Sequence, residues 1–350
     1  MDSTKTVSTK ETKNKISVDY EGKLPWKERM LRKLKESNTW VVAGINVLRF
    51  ILMLGISYVI LYPFFSKIAG SFMTKEDVID ATILLIPKNF TIEQYKWIVI
   101  DNRYFEALTN TLFLSLVAAL IQTFVACLIG YGISKFKFKG NKLVMIAVII
   151  TMAIPHSTLE LSMRRHFTFF DIGNVMAMGN QGILTSMFGR IELVGTFWPI
   201  IILSLGGLAF KNGLYIYMMR QFFKGVPDEL EESAYVDGSG TFRTFIQIII
   251  PLSVPMMITI FLFAFSWQWT DEFYWKMFMA DMPGRAPWMM PNVVADVPKT
   301  LNNTAFAGWA LYENIVKNTA VMMVIAPLIV MYLFCQRYLV QGIERSGIVG

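Results

Sequence analysis

Long uncharged runs divide this chain and predict its elements. The runs occupy residues 50–66, 107–134, 143–159, 193–210, 244–270 and 318–336. Each is close to the roughly 17 to 25 residues that a helix needs to cross a bilayer. Each is also continuously apolar, whereas a strand of a membrane barrel would alternate over about ten residues. The pattern therefore predicts an all-α polytopic membrane protein with six transmembrane helices.

Composition agrees with that class. Of the 350 residues, 54% are hydrophobic and 17% are charged, and the mean hydropathy is +0.45, a balance that soluble domains of this length do not show. The first forty residues carry ten Lys or Arg and no apolar stretch with a small-residue cleavage site, so they are not typical of a signal peptide. We expect a basic, partly disordered extension over residues 1–45, a six-helix domain over residues 46–341 and a tail over residues 342–350.

The distribution of basic residues orients the helices, because Lys and Arg are retained on the cytoplasmic side. With the N-terminus inside, the inner segments carry 19 basic residues and the outer loops carry 11. The eight-residue link 135–142 has four lysines and no acid, which would be hard to translocate. Both termini are therefore expected in the cytoplasm. The net charge of +7 then reflects topology and contact with anionic membrane lipids, not nucleic-acid binding.

The sequence contains no motif for catalysis or metal binding. There is no Gly-x-x-x-x-Gly-Lys-Ser/Thr phosphate loop and no Gly-x-Ser-x-Gly elbow, so the chain shows neither an ATP site nor a serine nucleophile of its own. Cys127 and Cys335 lie in apolar runs, and His156 and His166 stand ten residues apart, which is not the spacing of two ligands on one helix face. We expect no bound metal or cofactor, and any energy source must come from outside the chain.

A polar segment, residues 227–251, separates the fourth and fifth runs and predicts a short helix across the membrane surface. Pro227 suits the first helical position, the acids that follow suit the first turn, and Gly238 can take the left-handed conformation that ends a helix. The spacing puts one set of residues on a shared face with two acids projecting beside it. The face is Leu230, Ala234 and Asp237, and the acids are Glu231 and Glu232. A second helix is expected from Phe242, with Pro251 at its junction with the fifth span.

One spacing in this segment resembles a known family. Glu232-Ser233-Ala234, three residues, Gly238, nine residues, Ile248, one residue and Ile250-Pro251 is similar to the EAA loop of permease subunits in binding-protein-dependent ATP-binding-cassette importers. That loop reads Glu-Ala-Ala, three residues, Gly, nine residues, Ile, one residue, Leu-Pro, and every spacing agrees. Less specific patterns over residues 50–350 resemble the carbohydrate branch of that family, in particular the second permease of maltose-type importers. They are Pro87–Thr91 with Tyr95, Asn110, Tyr131–Gly140, Trp267–Asp271 and Gln336–Gly342.

The resemblance implies a type I permease fold with a cytoplasmic coupling helix between spans four and five, seated in a groove of a separate ATPase subunit. The implied coupling residues are Glu231, Glu232, Ser233, Ala234, Asp237, Gly238 and Pro251. ATP and Mg would bind to the ATPase. The tail residues Gly342, Gly347 and Gly350 would reach the ATPase interface, although Val349 stands where a lysine is usual. The implied assembly also has a second homologous permease, a second ATPase subunit and an extracytoplasmic solute-binding protein, in a bacterial inner membrane.

Polar residues in the apolar runs are candidates for a substrate path. They are Ser204, Asn212, Ser266, Gln268, Trp269 and Asp271. A carboxylate can bond sugar hydroxyls and aromatic rings can stack on sugars, but the aromatic residues also fit an interfacial belt. Single polar residues within spans also bond neighbouring helices. Both interpretations stay open.

The third run contains Pro155, which predicts a kink. Glu160 and Arg164 follow it at i, i+4 spacing and are expected to pair with each other. The stretch 164–192 is longer than the family usually has, and it would contact a donor protein or cap the outer mouth.

Three other functions compete with a sugar permease. A polytopic membrane enzyme acting on a lipid-linked substrate would use Asp271 with Glu272, or His156 with Glu160, as an acid–base pair, but it leaves the coupling loop unexplained. A secondary transporter would place charges at mid-bilayer, and the centres of runs two, five and six contain none. An importer of a non-sugar solute would have the same coupling loop and would differ only in the solute that it transports.

Overall fold

A computed structural model of the chain describes residues 10–11, 17–18, 37–171, 187, 191–301 and 308–345. The chain divides into two compact units, residues 1–66 and residues 67–350. In the first unit, β1 (Lys10–Glu11) pairs antiparallel with β2 (Ser17–Val18), with Lys10 opposite Val18. Helix α1 (Ser37–Gly70) begins in this unit and carries exposed apolar side chains along its length.

The second unit is built from helices. They are α2 (Lys75–Ile79), α3 (Glu93–Asp101), α4 (Tyr104–Lys135), α5 (Asn141–Ala153), α6 (His156–Thr168), α7 (Trp198–Leu205), α8 (Asn212–Lys224), α9 (Glu229–Val236), α10 (Thr241–Trp269), α11 (Phe273–Phe278), α12 (Met290–Ala295) and α13 (Trp309–Arg345), with a 3₁₀ turn at Lys299–Leu301. Isolated bridges join Met73 to Phe90 and Phe170 to Ile191. The predicted all-α class is confirmed, apart from these bridges and the two-residue strands β1 and β2.

Four helices in the described part of the chain are each long and apolar enough to cross a membrane. They are Gly44–Gly70 within α1, Tyr104–Lys135, Thr241–Trp269 and Trp309–Tyr338. They coincide with the first, second, fifth and sixth predicted spans. Counting a bent pair of helices as one span gives up to five.

The third predicted span is that bent pair. Helices α5 and α6 meet at an angle of 101° across a break at Ile154 and Pro155. Proline has no amide hydrogen and disfavours a helical conformation in the residue before it, so the chain leaves the helix here. The kink expected at Pro155 is confirmed, and it is sharp enough to separate two helices.

The fourth predicted run, residues 193–210, does not form one helix. It contains only the eight-residue α7, and α8 starts after a break at residues 206–211. Gly207 has φ +68° and Lys211 has φ +67°, which is left-handed backbone that an α-helix cannot contain. The run is apolar throughout, but the Gly206-Gly207 pair stops the helix.

The core joins α4, α8, α10 and α13. Trp269 is 2% exposed, and its indole N–H donates to the carbonyl oxygen of Val324 at 2.9 Å. This buried bond between α10 and α13 explains the residue, because a buried indole N–H needs an acceptor. Trp269 also lines a small cavity with Gln268 and Asp271, so its place in a substrate path stays a prediction.

Gly130 sets the distance between α4 and α8. An added Cβ would lie 2.6 Å from the Cβ of Met219, whereas one at Gly132 has nothing within 4 Å. We expect Gly130→Ala to lower the free energy of unfolding by about 1–3 kcal/mol through overpacking. Gly132→Ala, the matched control, should leave it unchanged or raise it by about 0.5–1 kcal/mol.

Thermal unfolding of the full chain in detergent, followed by tryptophan fluorescence, compares the two variants. Equal stability of the two alanine variants would contradict the close contact at Gly130.

Candidate functional site

The polar segment forms a short helix with a well-defined end. Helix α9 runs over Glu229–Val236, directly after Asp228. The amide of Ser239 donates to the carbonyl oxygen of Ala234 at 2.9 Å, and the amide of Gly238 donates to that of Tyr235 at 3.0 Å. These two bonds form a Schellman motif, in which the residue after the C-cap is left-handed. Gly238 has φ +81°, as the sequence predicted.

Glu231 lies on the inward face of α9. Its side chain is buried, and one carboxylate oxygen accepts a bond from the hydroxyl of Tyr131 at 2.9 Å. The other carboxylate oxygen lies 3.5 Å from Nζ of Lys135. The sequence predicted that Glu231 and Glu232 both project beside the face formed by Leu230, Ala234 and Asp237. Glu231 instead binds α4 of its own chain, because a buried carboxylate must find donors and a counter-charge.

Lys135 is the centre of this contact. Its side chain is 8% exposed, and Nζ donates to the carbonyl oxygen of Val226 at 2.6 Å and to Asp228 at 2.5 Å. The hydrogen bond and charge of Lys135 hold the pKa of Asp228 below its usual value. The sequence treated Lys135 as one of four topology-setting lysines. Lys135 is the last residue of α4, and a lysine at the end of a long apolar run could have been recognised as a candidate partner for the acids of the polar segment.

Aromatic packing surrounds the same contact. The ring of Tyr131 lies 4.8 Å from that of Phe245, 5.4 Å from Phe136 and 5.5 Å from Phe223, measured between centroids. These rings come from α4, α8 and the start of α10 and the loop after α4. Together with Glu231 on α9, these rings join five parts of the chain at one point. We call the polar contact at this point the inner anchor; it consists of Tyr131, Lys135, Asp228 and Glu231.

The outward face of α9 carries the remaining coupling candidates. Glu232, Ser233, Asp237 and Gly238 are exposed, and Val236 is 87% exposed. Ala234 is buried on the same side as Glu231, so its small side chain permits close approach to this chain. The segment therefore has an inner face fixed to its own bundle and an outer face open to a partner.

Pro251 lies two residues after a π-helical segment in α10. Phe245–Ile249 form the π turn, and the amide of Ile250 donates to the carbonyl oxygen of Phe245. Proline removes one amide donor from the ladder, and a widened turn is a usual way to absorb such a change. The predicted junction at Pro251 thus lies inside the continuous helix α10.

The structure brings together four of the predicted path residues, Ser204, Gln268, Trp269 and Asp271. Gln268 and Asp271 line one small cavity with Gln122, and Gln122 Nε2 donates to Ser204 Oγ at 3.1 Å. Asp271 accepts bonds from the amides of Phe273 and Tyr274, at 3.1 and 3.2 Å, which caps α11. Burial raises the pKa of Asp271 to about 6.

The other two path residues lie elsewhere. Ser266 is half-buried on α10. Asn212 is fully buried at the start of α8, and within the described part of the chain neither atom of its side-chain amide has a hydrogen-bond partner. Neither residue lines the cavity that holds Gln268 and Asp271.

The residues of the enzyme hypothesis are not arranged as acid–base pairs. Glu272 pairs with Lys276 at 2.8 Å, and the ring of His156 packs on that of Phe210 at 4.5 Å. Arg164 binds Asp281 at 3.1 Å, so the expected pairing of Arg164 with Glu160 is wrong. The bend at Pro155 starts a new helix, and its Arg164 meets the segment after α11. Among the described residues no group of three or more His, Cys, Asp or Glu is placed to hold a metal.

Of the three C-terminal glycines predicted to reach the ATPase interface, the structure describes one. Gly342 lies in α13. Gly347 and Gly350 lie outside the described residues, as does most of the long outer stretch, residues 172–186 and 188–190.

Lys211 is a functional candidate that the sequence interpretation missed. It is the one charged residue in the stretch 193–219, and its Nζ lies 4.8 Å from the ring centre of Phe210 and 4.9 Å from that of Trp267. A cation–π contact contributes about 0.5–1 kcal/mol at an exposed site, so the two rings hold the ammonium in a defined position.

The family of this chain follows from comparison with known proteins. Residues 122–345 match the family described as binding-protein-dependent transport system inner membrane component, and the chain belongs to that family. The matched range contains the polar segment, the inner anchor and helices α5 to α13. The resemblance recognised in the sequence is thereby confirmed.

Curated relatives match most of the chain. Protein LplC of Bacillus subtilis is 24% identical, covering 89% of this chain and 97% of that protein. The polygalacturonan/rhamnogalacturonan transport system permease protein YtcP of Bacillus subtilis is 24% identical, covering 86% and 96%. The maltodextrin transport system permease protein MdxG of Bacillus subtilis is 23% identical, covering 84% and 93%.

The fold also matches solved structures. A chain in the crystal structure of a bacterial ABC transporter involved in the import of the acidic polysaccharide alginate superposes with a TM-score of 0.64 at 20% identity. That match covers 87% of this chain and 98% of the other. A second structure, of the bacterial alginate ABC transporter in complex with an alginate pentasaccharide-bound periplasmic protein, gives a TM-score of 0.56 at 16% identity.

The inner anchor predicts different effects for two adjacent acids. Glu231→Gln removes the buried one of the two carboxylates that pair with Lys135, and we expect it to lower the free energy of unfolding by about 1–3 kcal/mol. Glu232→Gln, on the exposed face, should change stability by less than about 0.5 kcal/mol. Thermal unfolding of the full chain in detergent measures both, and a Glu231→Gln variant as stable as Glu232→Gln would argue against the anchor.

Proposed function

We propose that this chain is the transmembrane permease subunit of an ATP-driven importer that carries a sugar or oligosaccharide into a bacterial cell. The observation that carries the proposal is the family match over residues 122–345, together with relatives named for polygalacturonan and maltodextrin transport. The family consists of transport components, which does not favour the enzyme hypothesis.

In this proposal α9 is the coupling helix. Its outer face presents Glu232, Ser233 and Asp237 with exposed Val236, a mixture of charge and apolar surface suited to the groove of another protein. Its inner face is fixed to α4 through Glu231 and Lys135. An ATPase that moved α9 would therefore move α4 with it as a rigid body, which is how a nucleotide cycle can alternate the access of a transport path.

The assembly that we propose extends beyond this chain. It has a second homologous permease, two ATPase subunits that hold ATP and Mg, and an extracytoplasmic solute-binding protein. The permease domain spans residues 46–341 and crosses the membrane six times, with both termini in the cytoplasm. The two broken segments, α5–α6 and α7–α8, then supply the third and fourth crossings. The link 135–142, rich in lysine, supports this orientation.

A test of the coupling role uses the exposed acid at the motif position. Membranes expressing the full chain with the products of its neighbouring genes are solubilised, and the ATPase that copurifies with the chain is measured. Glu232→Lys should reduce the copurified ATPase by about tenfold or more, because it reverses a charge at a protein interface. Glu160→Lys, exposed on α6, is the matched control and should retain it.

Gly238 gives a second comparison on the same helix. Its backbone is left-handed and a Cβ there meets nothing within 4 Å, so Gly238→Asn tolerates the conformation whereas Gly238→Val does not. The valine variant should lose the ATPase and the asparagine variant should keep most of it. Normal ATPase recovery and sugar uptake in both Glu232→Lys and Gly238→Val would refute the coupling role.

A further inference from the structure

A large cavity lies where the two broken segments face each other. It has a volume of about 840 Å³ and is bounded by the ends of α5 and α7 and the starts of α6 and α8. This volume lies within the range of about 300–1,000 Å³ that is usual for small-molecule sites. Its walls are mostly apolar, as such sites are, and include Met152, Leu159 and Leu214.

The ionisable groups in the wall of this cavity are all basic. Lys211, His156 and His166 line it, and no Asp or Glu does. Within the described residues no carboxylate oxygen comes within ion-pair distance of Nζ of Lys211, since the recorded pairs of this chain involve other residues. The ammonium is instead held by the rings of Phe210 and Trp267. It is positioned without being neutralised.

The backbone adds positive potential at the same place. Helices α6 and α8 both begin at the cavity wall, at His156 and Asn212, and no described side chain caps either start. The N-terminal turn of a helix has free amide donors and carries a partial positive charge. Two such starts beside three basic side chains favour a negatively charged group.

We propose that this cavity binds the anionic group of the transported solute, and that the solute is an acidic sugar bearing a carboxylate. The inference rests on the proposed importer function and narrows its substrate class. Lys211 pairs with the carboxylate, His156 donates a further hydrogen bond, and the apolar wall covers the ring of the sugar. A neutral sugar of the same size would leave the ammonium of Lys211 without its counter-ion.

Protection of a cysteine in the cavity wall tests binding directly. Ser162 lines the cavity, and Ser162→Cys in a Cys335→Ser background leaves only buried Cys127 beside the new thiol. The full chain in detergent is labelled with a small methanethiosulfonate reagent in the presence of an oligogalacturonide. The neutral galacto-oligosaccharide of the same length is the comparison.

The acidic sugar should slow labelling about tenfold, while the neutral one changes it less than twofold. Lys211→Met should abolish the protection and Lys211→Arg should retain it. Lys276→Met, at an exposed ion pair outside the cavity, is the control and should behave as the parent. The comparison of the two sugars needs no Lys211 variant, so it holds even if Lys211→Met accumulates poorly.

Equal protection by the two sugars, or protection by neither, would overturn this inference. Uptake measurements in cells separate that result from a failure of the proposed function. If deletion of the chain abolishes uptake of neutral oligosaccharides only, the importer function stands and the acidic substrate is wrong. If no sugar uptake depends on the chain, the proposed function itself fails.

Discussion

The contact of a buried carboxylate, Glu231, with the C-terminal end of α4 is the interaction on which the rest of the structure depends. Glu231 could not be buried on α9 without donors, and Tyr131 and Lys135 provide them. The requirement to satisfy this charge fixes which face of α9 turns inward. It thereby decides that Glu232, Ser233 and Asp237 face outward, where another protein can reach them. One electrostatic requirement thus joins the fold of the bundle to its proposed coupling surface.

Two breaks in the helical bundle shape the second functional region. Pro155 ends α5, and the left-handed backbone at Gly207 and Lys211 separates α7 from α8. Because the helical conformation is interrupted at both places, the first turns of α6 and α8 and the side chain of Lys211 line one cavity. A pair of unbroken helices would have presented side chains only. The same breaks explain why, in the described part of the chain, four long helices and not six are uninterrupted spans.

Sequence reasoning succeeded where the cause was local. The left-handed residue at Gly238 and the break at Pro155 follow from the backbone limits of glycine and proline, and four long spans follow from continuous apolarity. It failed where contacts between distant parts of the chain determine which way a side chain points. Helical spacing could group Glu231 with neighbours but could not tell which face met α4. The bond from Trp269 to Val324 could not be predicted because the two residues are distant in sequence, and Lys211 served only to end an apolar run.

The central claim is that α9 and α4 move as one body. Its most direct test is an electron-spin distance measurement between labels on Val236→Cys and Gly132→Cys, in a Cys335→Ser background, in the assembled transporter with and without ATP. Both label sites are accessible and neither contributes a side-chain contact to the inner anchor. The account predicts a single distance that ATP leaves unchanged, and that broadens when Glu231 is replaced by Gln. A distance that shifts when ATP binds to the otherwise unaltered transporter would contradict it.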